Sequence, residues 1–249
     1  MRPRIAIPMP HSRDQEYGER AIPQYERAVV IAGGEPVRID LGQSLPEMRS
    51  AAGRCDAVLL PGSNADVDPA KFGQERSGHT ATADTLREEA DFFLLEEAYA
   101  VKKPVLCICY GLQSLNVFRG GSLIQHIPDF LPDDTRSKVN HEAGKRVAVA
   151  HSVEIFKASL LAKVVGMEGR DSEHDGVVVP VNSSHHQSAD AIGSGLRLVA
   201  RCPDDGIIEA LEGTSGDHFV LAVQWHPERS VDDDEPSQRI FRALIDATR

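Results

Sequence analysis

The sequence predicts an α/β fold, with a central, mostly parallel sheet covered by helices on both faces and antiparallel strands in the second half. Two observations carry that prediction. Short apolar runs bounded by Pro or Gly alternate with helix-length stretches through the first half, and hairpin-type turns separate strand-like runs in the second.

The first-half strands are expected at Ile5–Met9, Pro36–Asp40, Ala57–Leu60 and Pro104–Cys109. Ile22–Ala32 reads as a helix that stops at Gly33-Gly34, because glycine readily supplies the left-handed residue that ends a helix. Thr80–Lys103 carries Leu86, Ala90, Phe93 and Leu94 at helical spacing, with Asp84 or Thr80 as its candidate cap. Crossovers of that length join parallel strands. In the second half, Arg146–Phe156, Gly176–Asn182, Leu196–Arg201, Gly206–Glu212 and Phe219–Trp225 read as strands. Pro203-Asp204-Asp205-Gly206 and Gly213–Gly216 supply turn chemistry between them. Pro236–Thr248 reads as a last amphipathic helix with Ile240, Phe241, Leu244 and Ile245 on one face. The acidic run Asp232–Glu235 suits its N-terminus. Left exposed, that apolar face would suit a homodimer. With no internal repeat, residues 1–249 are expected to form one domain.

Composition excludes several function classes. The 27 basic and 38 acidic side chains leave a net charge of −11, which argues against nucleic acid and anionic membrane as partners. No apolar run approaches the ~18 residues of a membrane span. Four cysteines are too few to staple a chain of 249 residues, so a reducing, cytoplasmic setting is expected.

The most informative stretch runs from Pro104 to Gly121. An apolar strand ends at Cys109, turns through Tyr110-Gly111 and continues as a helix from about Leu112, which is the strand–turn–helix pattern of a nucleophile elbow. Small residues two before and two after the nucleophile let the backbones approach, and Cys107 and Gly111 meet that need. The free N–H groups of the helix start favour negative charge on a sulfur placed there. The plainer reading is that Cys107 and Cys109 are two small core residues. Cys-Ile-Cys does not have zinc-site spacing, and no second Cys/His pair complements it, so no metal is expected.

A thiol nucleophile needs a base, and the base needs an orienting partner. Of ten histidines, His226 stands out because an apolar strand ends there. Pro227 restricts it to extended backbone, and Glu228 two residues on projects to the same side. By itself this could be an ordinary strand-end histidine with a solvated carboxylate.

Together these segments resemble the class I (triad) glutamine amidotransferase superfamily, and within it the γ-glutamyl-γ-aminobutyrate hydrolase-like, peptidase C26-type branch. The resemblance rests on Leu60–Glu75, Cys109-Tyr-Gly-Leu-Gln113 with Gly120-Gly121, Val181-Asn-Ser-Ser-His-His-Gln187, and Val223-Gln-Trp-His-Pro-Glu228, in the family's order. It implies a flavodoxin-like three-layer sandwich. It also implies Cys109 as nucleophile, His226 as base and Glu228 as its orienter. The Tyr110 amide and an amide of the Pro61-Gly62-Ser63 turn, from Gly62 or Ser63, would form the oxyanion hole. Gln113, Asn182, Ser183, His185 and His186 match substrate-holding positions, although His185 and His186 would face opposite ways if extended. Two departures are visible: Tyr110 stands where the hydrolase branch more often has Arg, and Pro-Gly-Ser replaces a double glycine.

The implied function is hydrolysis of a γ-glutamyl amide to glutamate and a small amine through a cysteine thioester, with no metal or organic cofactor. Two alternatives remain open: a glutaminase subunit that passes ammonia to a separate synthase, and a non-catalytic binding relative. The polar connection 127–144 lies either over the pocket mouth or on the surface.

Overall fold

The computed structural model describes residues 1–167 and 176–249. Its first half comprises β1 (Arg4–Pro8), α1 (Gln15–Ile31), β2 (Glu35–Ile39), α2 (Leu45–Gly53), β3 (Ala57–Leu60), α3 (Thr85–Val101), β4 (Val105–Ile108) and α4 (Tyr110–Phe118). A small strand β5 (Leu123–Ile124) and the short helices α5 (Ile127–Phe130) and α6 (Asp133–Arg136) follow. The rest is β6 (His151–Phe156), α7 (Leu160–Val164), β7 (Gly176–Val181), β8 (Ser188–Ala189), β9 (Leu196–Arg201), β10 (Ile208–Gly213), β11 (Val220–Val223) and α8 (Glu235–Asp246).

Among the described residues the main sheet runs β2-β1-β3-β4-β11-β10-β9-β6-β7. The first five strands are parallel, and the pairs from β11 to β7 are antiparallel. The order β2-β1-β3-β4 with β11 next is the flavodoxin-like winding, in which ligands gather at the carboxyl ends of the strands. The parallel strands are apolar on both faces because each face is covered. Ile5, Ile7, Leu59, Leu106, Ile108, Leu221 and Val223 pack under α1 and α8. Their alternates Ala6, Val58, Leu60, Val105, Cys107 and Ala222 pack under α2, α3 and α4. The result is a three-layer α/β sandwich.

The predicted strands are present with shifted ends, β6 most of all: it begins at His151, five residues later than Arg146. α1 starts at Gln15, ahead of the predicted Ile22, where Asp14 accepts a cap hydrogen bond from the Tyr17 N–H. The helix runs through Pro23. α2 was not foreseen, although Ser44 and Glu47 form a capping box at its start. α3 is capped by Asp84 and not by Thr80. Asp234 caps α8 from within the acidic run, as its position suggests. The apolar stripe of α8 is consumed inside the chain: Ile240, Phe241, Leu244 and Ile245 are buried in the core beneath α1, so this face is not available for the homodimer contact considered above. Among the described residues no helix is long and apolar enough to cross a membrane.

Candidate active site

Three parallel strands deliver their successors to one edge of the sheet. β3 leads into Pro61-Gly62-Ser63, β4 into Cys109, and β11 into His226. Cys109 sits at φ 53°, ψ −106°, a strained left-handed conformation for a residue with a Cβ. That turn swings the chain from strand to helix and leaves the sulfur at the start of α4. Gly111 makes the turn possible, since a Cβ there would run into the backbone carbonyl of Leu60.

His226 follows β11 by three residues at φ −114°, ψ 79°, and a 3-10 turn at Pro227–Arg229 brings Glu228 beneath it. The ring Nδ1–H donates to Glu228 Oε1 at 2.7 Å, with both groups buried. The His226 N–H donates to the Asn182 carbonyl at 2.9 Å, which fixes the backbone as well. Burial pulls the imidazole pKa down, but the charges of Glu228 and Cys109 outweigh it and lift the value to about 9. Burial acts upward on Glu228, and His226 still holds it below the usual carboxylate range. A protonated imidazole therefore stands beside Cys109 at neutral pH.

The turn after β3 packs against this pair. A Cβ on Gly62 would lie 2.9 Å from the Tyr25 hydroxyl, 3.0 Å from His226 Cε1 and 3.7 Å from Cys109 Cβ, so only glycine fits without displacement. Its N–H donates to the Tyr25 hydroxyl at 3.0 Å. Pro61 has no N–H to offer, and Ser63, the next residue of the turn, lines the cavity. The Tyr110 N–H opens the first turn of α4, where no intrahelical acceptor exists.

Behind the turn lies a residue that the sequence reading passed over. Arg87 of α3 is fully buried, donates to the carbonyls of Pro61 at 2.6 Å and Pro10 at 2.9 Å, and pairs with Asp91 at 2.7 Å. Its guanidinium also lies over the Tyr110 ring, 4.9 Å from the centroid. One cation thus holds both the turn after β3 and the elbow. In sequence Arg87 is one charged residue on a helix full of them, and only its partners reveal its role.

A cavity of about 630 Å³ opens above the sulfur. Cys109, Ser63, Tyr110, Gln113, His185, His186, His226 and Glu228 all line it, so these predicted site residues are brought together. Gly62 stands just behind the wall. Asn182 and Ser183 do not line the cavity. The Asn182 amide donates to the carbonyls of Gly144, Val147 and Ala148, and the Ser183 hydroxyl donates to the His141 carbonyl. Both side chains therefore tie down the neighbouring connection and stand off the cavity, where substrate contacts are expected of them. Ser184 takes a place on the wall instead, together with Arg229, which donates to its hydroxyl at 2.9 Å. Gln113 reaches the Gln187 carbonyl at 3.1 Å. His185 and His186 do diverge: His185 Nδ1 donates to the Gln187 carbonyl, whereas His186 Nε2 reaches Asp66 at 3.0 Å. Both nevertheless border the cavity. Glu142, Gly144 and Lys145 line it too, so the end of the polar connection forms part of the pocket wall.

Known proteins resemble this chain in sequence and in fold. A family model described as Peptidase C26 matches residues 5–228. The chain is 39% identical over 223 residues to a Mycobacterium tuberculosis protein named "Putative glutamine amidotransferase Rv2859c", covering 90% of this chain. It spans 66% of that relative's length. It is 28% identical over 250 residues to the gamma-glutamyl-gamma-aminobutyrate hydrolase PuuD of Escherichia coli strain K12, covering 98% of this chain and 93% of that one. Among solved structures, the glutaminase domain of Trypanosoma brucei CTPS with bound acivicin matches with a TM-score of 0.63 at 19% identity, covering 98% of this chain and 94% of that one, a likeness of fold. With the family match running from β1 to Glu228, the chain belongs to the class I glutamine amidotransferase superfamily, in its Peptidase C26 branch.

Proposed function

We propose that this protein hydrolyses γ-glutamyl amide bonds, releasing glutamate and a small amine, with Cys109, His226 and Glu228 as its catalytic residues. The observation that carries the reading is the buried His226–Glu228 pair set against a cysteine on a strained elbow, all at the floor of one cavity. The Cys109 sulfur attacks the γ-carbonyl carbon, forming the C–S bond. The carbonyl oxygen takes the negative charge and accepts hydrogen bonds from the Tyr110 and Ser63 amides. His226 gives its proton to the leaving nitrogen as the C–N bond breaks. The neutral ring then takes a proton from water, whose oxygen attacks the thioester. The C–S bond breaks, and glutamate leaves.

The hydrolase of E. coli named above supports a γ-glutamyl amine as substrate. A second reading, a glutaminase that supplies ammonia, is favoured by the name of the M. tuberculosis relative. One assay separates them: release of glutamate and amine from γ-glutamyl-γ-aminobutyrate, γ-glutamyl dipeptides and glutamine, with Cys109→Ala as control. The hydrolase reading expects turnover of a γ-glutamyl amine by the isolated chain, abolished by the substitution. Turnover of glutamine alone would favour the glutaminase. No turnover by folded protein, with Cys109 no more reactive toward iodoacetamide than Cys55 or Cys202, would leave a binding protein.

A further inference from the structure

Beside the active-site cavity, four side chains from four separate segments converge on one buried point. His141 comes from the polar connection, His151 from the first position of β6, His185 from the loop after β7, and Glu209 from β10. All four are buried, and one candidate ligand atom from each lies within 4.8 Å of the others. His141 Nδ1, His151 Nε2 and His185 Nε2 stand 3.2, 3.4 and 3.5 Å from the same oxygen, Glu209 Oε1. None of these four atoms has a hydrogen-bond partner among the described residues.

The outward ring nitrogens are all engaged. His141 Nε2 donates to Asp205 Oδ2 at 2.8 Å, His185 Nδ1 to the Gln187 carbonyl at 2.8 Å, and His151 Nδ1 to the Ser152 carbonyl at 3.0 Å. A carbonyl or carboxylate can only accept, so each outward nitrogen donates, and the second nitrogen of each ring is the one left facing Glu209. Three ring nitrogens thus gather around one carboxylate oxygen, all of them buried and none hydrogen-bonded. A single divalent ion satisfies every group at once.

We propose that His141, His151, His185 and Glu209 form a closed tetrahedral site for a divalent transition metal, with zinc the best match to the ligand set. With Zn–N and Zn–O bonds near 2.0–2.1 Å, the edge of a zinc tetrahedron is about 3.3 Å. The three separations measured from Glu209 Oε1 bracket that length. Three imidazoles and one carboxylate form a nitrogen- and oxygen-rich set suited to zinc. Outer hydrogen bonds to a carboxylate and two carbonyls are the support that metal-binding histidines normally have. Four protein ligands leave no open position, so the ion activates no water and stands outside the thiol chemistry. Its role is structural. It ties His141, and with it the pocket-lining segment of Glu142, Gly144 and Lys145, to the antiparallel half of the sheet. A second cavity of about 270 Å³, lined by His141 and His185, gives a route for entry.

The test is metal content and metal-dependent stability of the whole chain, neither of which depends on the assignment of substrate. Protein purified without metal-affinity steps is expected to carry close to one zinc per chain by elemental mass spectrometry. Chelator-treated protein should take up one equivalent of ZnCl2 with a rise in melting temperature, and one equivalent of CoCl2 with the intense visible absorption of tetrahedral cobalt. Asp205→Asn, which keeps all four ligands, should weaken zinc binding on the order of 10–100-fold. The paired substitution His151→Ala and Glu209→Gln should abolish it. Folded wild-type protein that carries no zinc and shows no melting shift or cobalt spectrum would overturn the proposal. So would zinc uptake unchanged in both the Asp205→Asn and paired variants.

Discussion

Cys109 and His226 were legible as residues because their signals are local. Cys109 lies at the junction of an apolar strand with a helix, two residues from the glycine that lets the turn close. His226 and Glu228 are two apart on extended chain, which sets both on one side before any tertiary contact is known. The assignment of the amide at the Pro61-Gly62-Ser63 turn was not legible, because the group that occupies the Gly62 N–H is Tyr25, distant in sequence. The zinc ligands were hidden for the same reason. Residues 141, 151, 185 and 209 have no motif spacing and meet only once the sheet is assembled. At this scale the account predicts a pH dependence. His226 keeps its proton until pH rises through about 9, so the leaving amine loses its acid above that value. A pH–rate profile for amine release is expected to show an alkaline limb near 9. In Glu228→Gln the stabilising charge is gone, and the limb should move to lower pH, with a rate loss of up to about 10⁴-fold by analogy with other triads. An unmoved limb would mean that Glu228 does not govern the imidazole.

α3 shows how an element can carry function through a face that looks purely structural. Its periodicity identified a helix packed on the sheet, and the apolar side behaves as expected. The buried Arg87–Asp91 pair one turn apart on that helix could have been read as a solvated i,i+4 pair. It is instead fully buried and clamps the turn that faces Cys109. Arg87→Met alone leaves Asp91 charged and unpaired in the core, and about 3–5 kcal/mol of destabilisation is expected in urea unfolding. Replacing the pair together, Arg87→Met with Asp91→Leu, removes the stranded charge and should recover much of that stability. The rate should not recover, since the Pro61 carbonyl has lost its donor and the turn is free to shift. Full recovery of kcat in the double variant would mean that the turn holds its position without Arg87. α2 illustrates the opposite failure of sequence reading. Its capping box at Ser44 and Glu47 was present in the sequence, but the helix has few apolar anchors, with Met48 and Ala52 its buried residues.

The whole molecule divides its work between the two halves of the sheet. The parallel half presents Cys109, His226 and the Pro61-Gly62-Ser63 turn at its carboxyl edge, where flavodoxin-like windings bind ligands. The antiparallel half, by way of β6, β7 and β10, holds the loops that wall the cavity. That division was legible as fold class, because strand–helix alternation gives way to hairpins along the chain. The sharing of a pocket between the halves was not, since it depends on loops folding back over the sheet. The site also leaves a mark on global stability. His226 has a folded pKa of about 9 against an ordinary value of 6.5, so its contribution is full below pH 6.5 and is lost as pH rises through 9. Glu228 has a depressed pKa, so its contribution is lost as pH falls. The melting temperature should therefore decline on raising the pH from about 7 to about 10, and the decline should flatten in His226→Asn. An equal decline in both proteins would place the alkaline sensitivity elsewhere.

The central claim, that Cys109 carries the γ-glutamyl group during turnover, is tested most directly by acid-quenching the wild-type enzyme during turnover of a γ-glutamyl amine and mapping the adduct by mass spectrometry. The account predicts a mass gain of one glutamyl residue on the peptide containing Cys109, absent from Cys109→Ala. Turnover that persists in Cys109→Ala, or an adduct on a residue other than Cys109, would contradict it.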